Sequence, residues 1–304
     1  MLRLANEELP DQESATTSEL LRILPEIESN GLVDAFCSQL RLLDGSENAK
    51  RIVQDLCAAN GPFGSAEVIF SKVGSKLLRS IVEINPPVVL DALSRAFSER
   101  SLVELGSFVE ARRNLVWTVE KLCWEASLFP LATPLLLRLA ASENETCANN
   151  ATGQFLQLYQ IFLSGTRRPA IARLDVIKTS LAASQSEQRV CVLALGTAVK
   201  SATGPYSRMG GVETRGSQLP QSDWAPSTFQ DIADYQLDAF TMLRDIVLSN
   251  SPLSGLATAE LGDHIRTFLT SDYLDKVGDE IVALARHLQG YWPKARRSIE
   301  DMLQ

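Results

Sequence analysis

A chain of 304 residues with 45% hydrophobic content can bury one extended core or two compact ones. Its net charge of −8 and pI near 5.0 exclude a general binder of nucleic acid or anionic membrane, because such proteins need positive charge to displace counterions from phosphate. The five cysteines (Cys37, Cys57, Cys123, Cys147, Cys191) are odd in number, sit in apolar helical contexts and form no C-x-x-C pair, which points to reduced core thiols and away from a disulfide framework or zinc site.

The N-terminus, MLRLANEELPDQESATTSE, is polar and acidic where a signal peptide has a basic start and an apolar core, so a cytoplasmic location is expected. On that expectation the sequons at Asn144 and Asn150 carry no weight. Residues 1–16 read as a disordered lead-in. Thr17 or Ser18 then caps a first helix carrying Leu20, Leu21, Ile23, Leu24 and Ile27, curtailed or kinked by Pro25. A second run places Leu32, Phe36, Leu40 and Leu43 on one stripe before Asp44-Gly45 stops it. Ser46 caps a third segment, with Ile52, Val53, Leu56 and Cys57 facing inward, as far as the breaker Asn60-Gly61-Pro62. From Lys72 two helices are joined at Asn85-Pro86-Pro87, with Pro87 in the first turn of the second, where its missing N–H is harmless.

Helices are expected next at about 110–124, 131–141, 147–163, 169–183 and 186–200. In the first, Leu115, Val116, Val119, Leu122 and Cys123 form a wide stripe suited to neighbours on both sides. No fixed repeat period emerges, only loose likeness among VVLDALSRAF, LLLRLAASEN and ARLDVIKTSL. Residues 201–222 then interrupt the pattern with glycines and prolines over a stretch too long for an ordinary helix connection. Beyond it, helices are expected at about 228–249, 256–270, 273–288 and 291–303. The predicted architecture is all-α: a HEAT/ARM-like α-α superhelix over 17–200, a long loop over 201–222 and a C-terminal helical cap over 223–304.

Signals for chemistry are few. There is no P-loop, since Gly210-Gly211 is followed by no lysine, and only two histidines, His264 and His287, without carboxylates or cysteines at a repeating ligand spacing. No catalytic, cofactor or metal residue is therefore assigned. Cys147 has no basic neighbour in the sequence that would lower its pKa. The turn from Glu143 to Thr152, ENETCANNAT, has the most unusual composition. Its Glu143, Asn144, Glu145, Asn149 and Asn150 either form a recognition edge or simply cap and hold the turn. Arg112, Arg113, Arg167, Arg168 and Arg173 are available to pair with Glu143 and Glu145 or to meet an acidic partner. Tyr206 and Arg208 belong either to a binding loop or to a plain connector.

The succession RRNLVWTVEKLCWEASLFPLATPLLLRLAASENE, NNATGQFLQLYQIFLSGT with RRPAIAR, GPYSRMGG and GYWPKA resembles the C-terminal α-solenoid of large bacterial STAND-type NTPases associated with antiphage defence, over roughly Lys72 to Gln304. The resemblance implies a sensor or scaffold arm that recognises a foreign protein or positions an effector. It departs from the family in having no NTPase core in this sequence. The leading expectation is a non-catalytic protein-interaction module with a protein partner. The alternatives are a detached subunit acting with a separate catalytic partner, and an enzyme with a cryptic site between solenoid and cap.

Overall fold

The computed structural model describes residues 46–208, 222–249 and 251–302, together with Gly31. The expected lead-in, the two helices before Ser46, Cys37 and the Gly210-Gly211 pair lie outside the described residues. Among these residues the protein is all-α, with fourteen α-helices and no strand, and no helix is long and apolar enough to cross a membrane.

Several helices begin where a Ser or Thr side chain accepts one of the unpaired N–H groups of the first turn. Ser46 caps α1 (Glu47–Cys57) through a 3.4 Å bond from the Ala49 N–H, as the sequence predicts. After a 3-10 turn and the short α2 (Ala66–Ile69), Ser71 caps α3 (Lys72–Ile81). Pro86 and Pro87 open α4 (Pro86–Ser98), where a missing N–H costs nothing. A capping box of Ser101 with Glu104 starts α5 (Leu102–Ser107), a helix that sequence periodicity did not reveal. It is followed by α6 (Arg112–Trp124) and α7 (Phe129–Ala141). The remaining helices are α8 (Ala151–Gln157), α9 (Ala170–Ser180), α10 (Gln185–Ala198), α11 (Phe229–Leu248), α12 (Ser254–His264), α13 (Ser271–His287) and α14 (Pro293–Met302). A 3-10 turn, Ile265–Leu269, links α12 to α13. The helix expected over 256–270 is thus an α-helix with a 3-10 end.

Contacts divide the chain into two compact units that part between Asn150 and Ala151. The sequence suggested a division at the 201–222 loop, but α10 and α11, on either side of it, pack together inside the second unit.

In the first unit the stripe read from the sequence is fully buried: α6 packs against α4 and α7, and its Leu115, Val116, Val119 and Leu122 are out of solvent, as are Leu93 and Phe97 of α4 and Phe129 and Leu136 of α7. Phe70 stacks on Phe108 at 4.4 Å and tilts against Phe97 at 5.3 Å. In the second unit α11 packs against α10 and α12, with Tyr235, Phe240 and Leu243 of α11, Leu195 of α10 and Leu261 of α12 all fully buried and the rings of Phe240 and Phe268 lying 4.8 Å apart.

Polar contacts fix how helices align within each unit. Asn85 donates to the Lys50 carbonyl and Arg95 to that of Cys57, so α1 and α4 run in the same direction, 35 and 38 residues apart in sequence. Asn114 donates to Ser75 Oγ over 39 residues, and Lys121 pairs with Glu83 one end further along, so α3 and α6 are also parallel. Arg138 of α7 reaches the carbonyls of Phe97 and Arg100, 41 and 38 residues earlier. In the second unit α11 and α13 are joined by Tyr273 to Gln236 and Arg244 to Glu280, 37 and 36 residues apart. Trp292 to Thr258 and Lys294 to Asp263, over 34 and 31 residues, align α12 with α14.

Candidate functional site

The turn between α7 and α8 and the first turn of α6 form one polar knot. Ser142 ends α7 by donating from Oγ to the Arg138 carbonyl at 2.8 Å. Arg112 is fully buried and donates to the carbonyls of Leu105 and Leu139, at 3.3 and 2.5 Å, and to Glu143 Oε1 at 3.2 Å. One guanidinium therefore gathers the end of α5, the end of α7 and the following turn. The same carboxylate oxygen of Glu143 accepts the N–H groups of Asn144 and Glu145, and Asn144 donates to the Gly106 carbonyl.

Arg113, the next residue, points elsewhere, as successive residues on a helix must. It donates to Asn149 Oδ1, Glu145 Oε1 and Cys147 Sγ at 2.9, 2.9 and 2.7 Å. Asn150 closes the turn by donating to the Glu145 carbonyl. Partial burial lowers the pKa of Arg113, but its hydrogen bonds to Cys147 and Glu145 outweigh that and leave it above its ordinary value. Cys147 thus has a basic neighbour after all, 34 residues earlier in the chain, and it is half-buried rather than a core thiol. Cys57, Cys123 and Cys191 are buried and free, and burial pushes each thiol up to about 12. The helix expected from residue 147 begins only at Ala151, because the side chains of 143–150 hold a turn.

Beside this knot lies a feature the sequence did not single out. The Arg79 guanidinium stacks on the Trp117 ring at 3.8 Å, and that of Arg113 lies 5.6 Å from the same ring. Trp117 is half-buried between two cations, and Asn114 bridges Arg79 to Ser75. Spacing within one helix cannot reveal the pair, since the parallel register of α3 and α6 creates it. Buried tryptophan and arginine side chains are the residue types that dominate protein interfaces.

The second unit holds the other candidates. Arg173 is fully buried on α9; its Nε donates to the Arg168 carbonyl at 2.8 Å, and its Nη1 to those of Leu158 and Gln160 at 3.1 and 2.8 Å. Burial lowers its pKa to about 10, although the phenols of Tyr235 and Tyr159 and the carboxylate of Asp223 pull it back up. The capture of these carbonyls, with positive φ at Leu163 (54°) and Gly165 (76°), is why the helix expected to run to 163 stops at Gln157. Asp223 holds the same loop by accepting the Gly165 N–H at 2.8 Å and both contacts of Arg208 Nη2 at 2.6 Å. The Trp224 N–H donates to the Thr166 carbonyl, and its ring faces Arg173 at 5.4 Å.

Tyr206 packs edge-on against Phe162 and donates to the Ser201 carbonyl at 3.0 Å, and burial pushes its phenol up to about 12. Tyr206 and Arg208 are therefore anchored to the unit, Arg167 is exposed, and Arg168 is half-buried. Arg112 and Arg113 meet Glu143 and Glu145, whereas Arg173 and Arg168 join a separate cluster. Among the described residues no group of three His, Cys, Asp or Glu side chains is placed to hold a metal ion. Comparison with protein-family models, curated proteins and solved structures found no match.

Proposed function

We propose that the protein is a helical-repeat interaction module, a sensor or scaffold that binds a protein partner and does so without chemistry of its own. The observation that carries this reading is the recurrence of same-direction helix pairs at sequence separations of 31 to 39 residues in both units. All but the shortest of these separations fall within the 34 to 47 residues of one helical repeat, and stacked repeats present an extended surface to partners. The half-buried Arg79–Trp117–Arg113 stack supplies one anchor of the kind that partners grip. A cytoplasmic role in bacterial antiphage defence accords with the resemblance to the STAND arms and belongs to the same proposal.

The test has two arms on the purified chain. Thermal shift against nucleotides and divalent metals is expected to give no stabilisation, and a large reproducible shift with ATP or zinc overturns the non-catalytic reading. Crosslinking in host cells is expected to recover one protein through wild type and to lose it through Trp117→Ala. Equal recovery by both removes the anchor from the proposal.

A further inference from the structure

Helix α13 has two apolar sides and uses only one. Tyr273, Val277, Ile281 and Leu284 are buried against the second unit. On another side Leu274, Gly278 and Val282 follow at four-residue intervals, with Leu274 44% and Val282 46% exposed. A Cβ added at Gly278 would meet only the Leu274 side chain, at 3.5 and 3.8 Å, so the groove at the glycine is open outward. Large, small, large along one four-residue row is the surface that interdigitates when two helices cross, with the glycine letting the backbones approach.

The charges along this helix are divided by end. DYLDKVGD, the N-terminal half, holds three aspartates and one lysine, while the last turn holds Arg286 and His287. Asp272, Asp275 and Arg286 form no ion pair among the described residues.

From this geometry we infer that α13 is a self-association surface, on which a second copy of this chain packs its own α13 in the antiparallel sense, crossing at Gly278. A single helix carries both halves of the match. Antiparallel pairing sets Leu274 of each copy beside Val282 of the other and lays the acidic N-terminal half of each helix, Asp272 nearest and Asp275 a turn beyond, along the last turn of the other with Arg286, twice over by two-fold symmetry. Parallel pairing would place acid against acid. A foreign helix would need only one of these complementarities, whereas a second copy satisfies all of them. One helix crossing buries less than the roughly 1,200 Å² of a stable interface, so the dimer is weak and depends on concentration and salt. The assignment rests on the interaction-module reading only in naming one surface of it, since a monomer would sink this surface and leave that reading to its own test.

Analytical ultracentrifugation of the full chain reads the outcome. The average mass is expected to rise from monomer towards dimer with concentration, and less so in high salt. Val282→Glu is expected to abolish the rise while leaving the melting temperature unchanged. Arg286→Glu, and separately the double variant Asp272→Arg with Asp275→Arg, should each weaken association at least tenfold, and an equimolar mixture of the two should recover it as a heterodimer. A chain that stays monomeric at every concentration overturns the inference. So does a dimer indifferent to these changes, or a mixture that fails to recover.

Discussion

Two buried arginines, one in each unit, perform the same task under different electrostatic conditions. Arg112 gathers the carbonyls of Leu105 and Leu139 and meets a carboxylate, Glu143, at 3.2 Å. Arg173 gathers those of Leu158, Gln160 and Arg168 and forms no ion pair with a carboxylate among the described residues, and burial holds its pKa down to about 10. Both replace water at helix ends that would otherwise leave carbonyls orphaned. The difference shows that a fully buried guanidinium needs hydrogen-bond acceptors more than it needs a formal counter-charge, and that the paired form depends on a second residue.

Removing each arginine should separate them. Arg112→Ala leaves two carbonyls without their donor and takes the guanidinium away from the Glu143 carboxylate, which keeps the N–H groups of Asn144 and Glu145, and it is expected to cost about 3–5 kcal/mol in denaturant unfolding. Arg173→Ala orphans three carbonyls but also removes a desolvated charge, so a smaller loss of about 2–3 kcal/mol is expected. Equal losses would mean that Glu143 adds nothing to the first knot. Glu143→Gln keeps an acceptor and removes the charge, and it should cost about 1–2 kcal/mol, measured by the same unfolding curve. Cys147→Ser should change stability by less than about 0.5 kcal/mol, because Arg113 retains Glu145 and Asn149. A larger loss would make the thiol a structural member of the knot.

The smallest effect expected is one of acid. Asp231 accepts the N–H groups of Ser227 and Thr228 at the start of α11, which holds its carboxyl below the ordinary value near 3.8. A depressed folded value means that the stabilisation is complete above the unfolded value and is lost as pH falls through the folded one. Melting curves below about pH 4 should therefore decline more gently for Asp231→Asn than for wild type.

Much of the helical outline was legible. Pro87 in a first turn, Ser46 as a cap and the Leu115–Leu122 stripe follow from local chemistry alone, because caps, proline and apolar periodicity act within one helix. The short α2 and α5 were not legible, being too brief to show a period. The candidate site was legible as a list of polar residues. Its wiring was not, since Arg113 meets Cys147 across 34 residues and Arg79 meets Trp117 through helix register.

The recurring separation shows the same division. No repeated phrase marks it in the sequence, because residues at a helix contact need only fit their neighbours, and many apolar or polar pairs fit equally well. By itself the sequence determined an all-α protein, the approximate places of most helices and which faces of them are apolar, since each follows from interactions between residues a few positions apart. Only the tertiary structure decided that Arg112 and Arg173 are buried, that the turn at 143–150 is consumed by its own arginines, that the compact units part at Asn150, and that α13 keeps an apolar side in solvent. Those outcomes depend on where distant segments come to rest, and hydrogen bonds and burial between them are set by packing rather than by spacing along the chain.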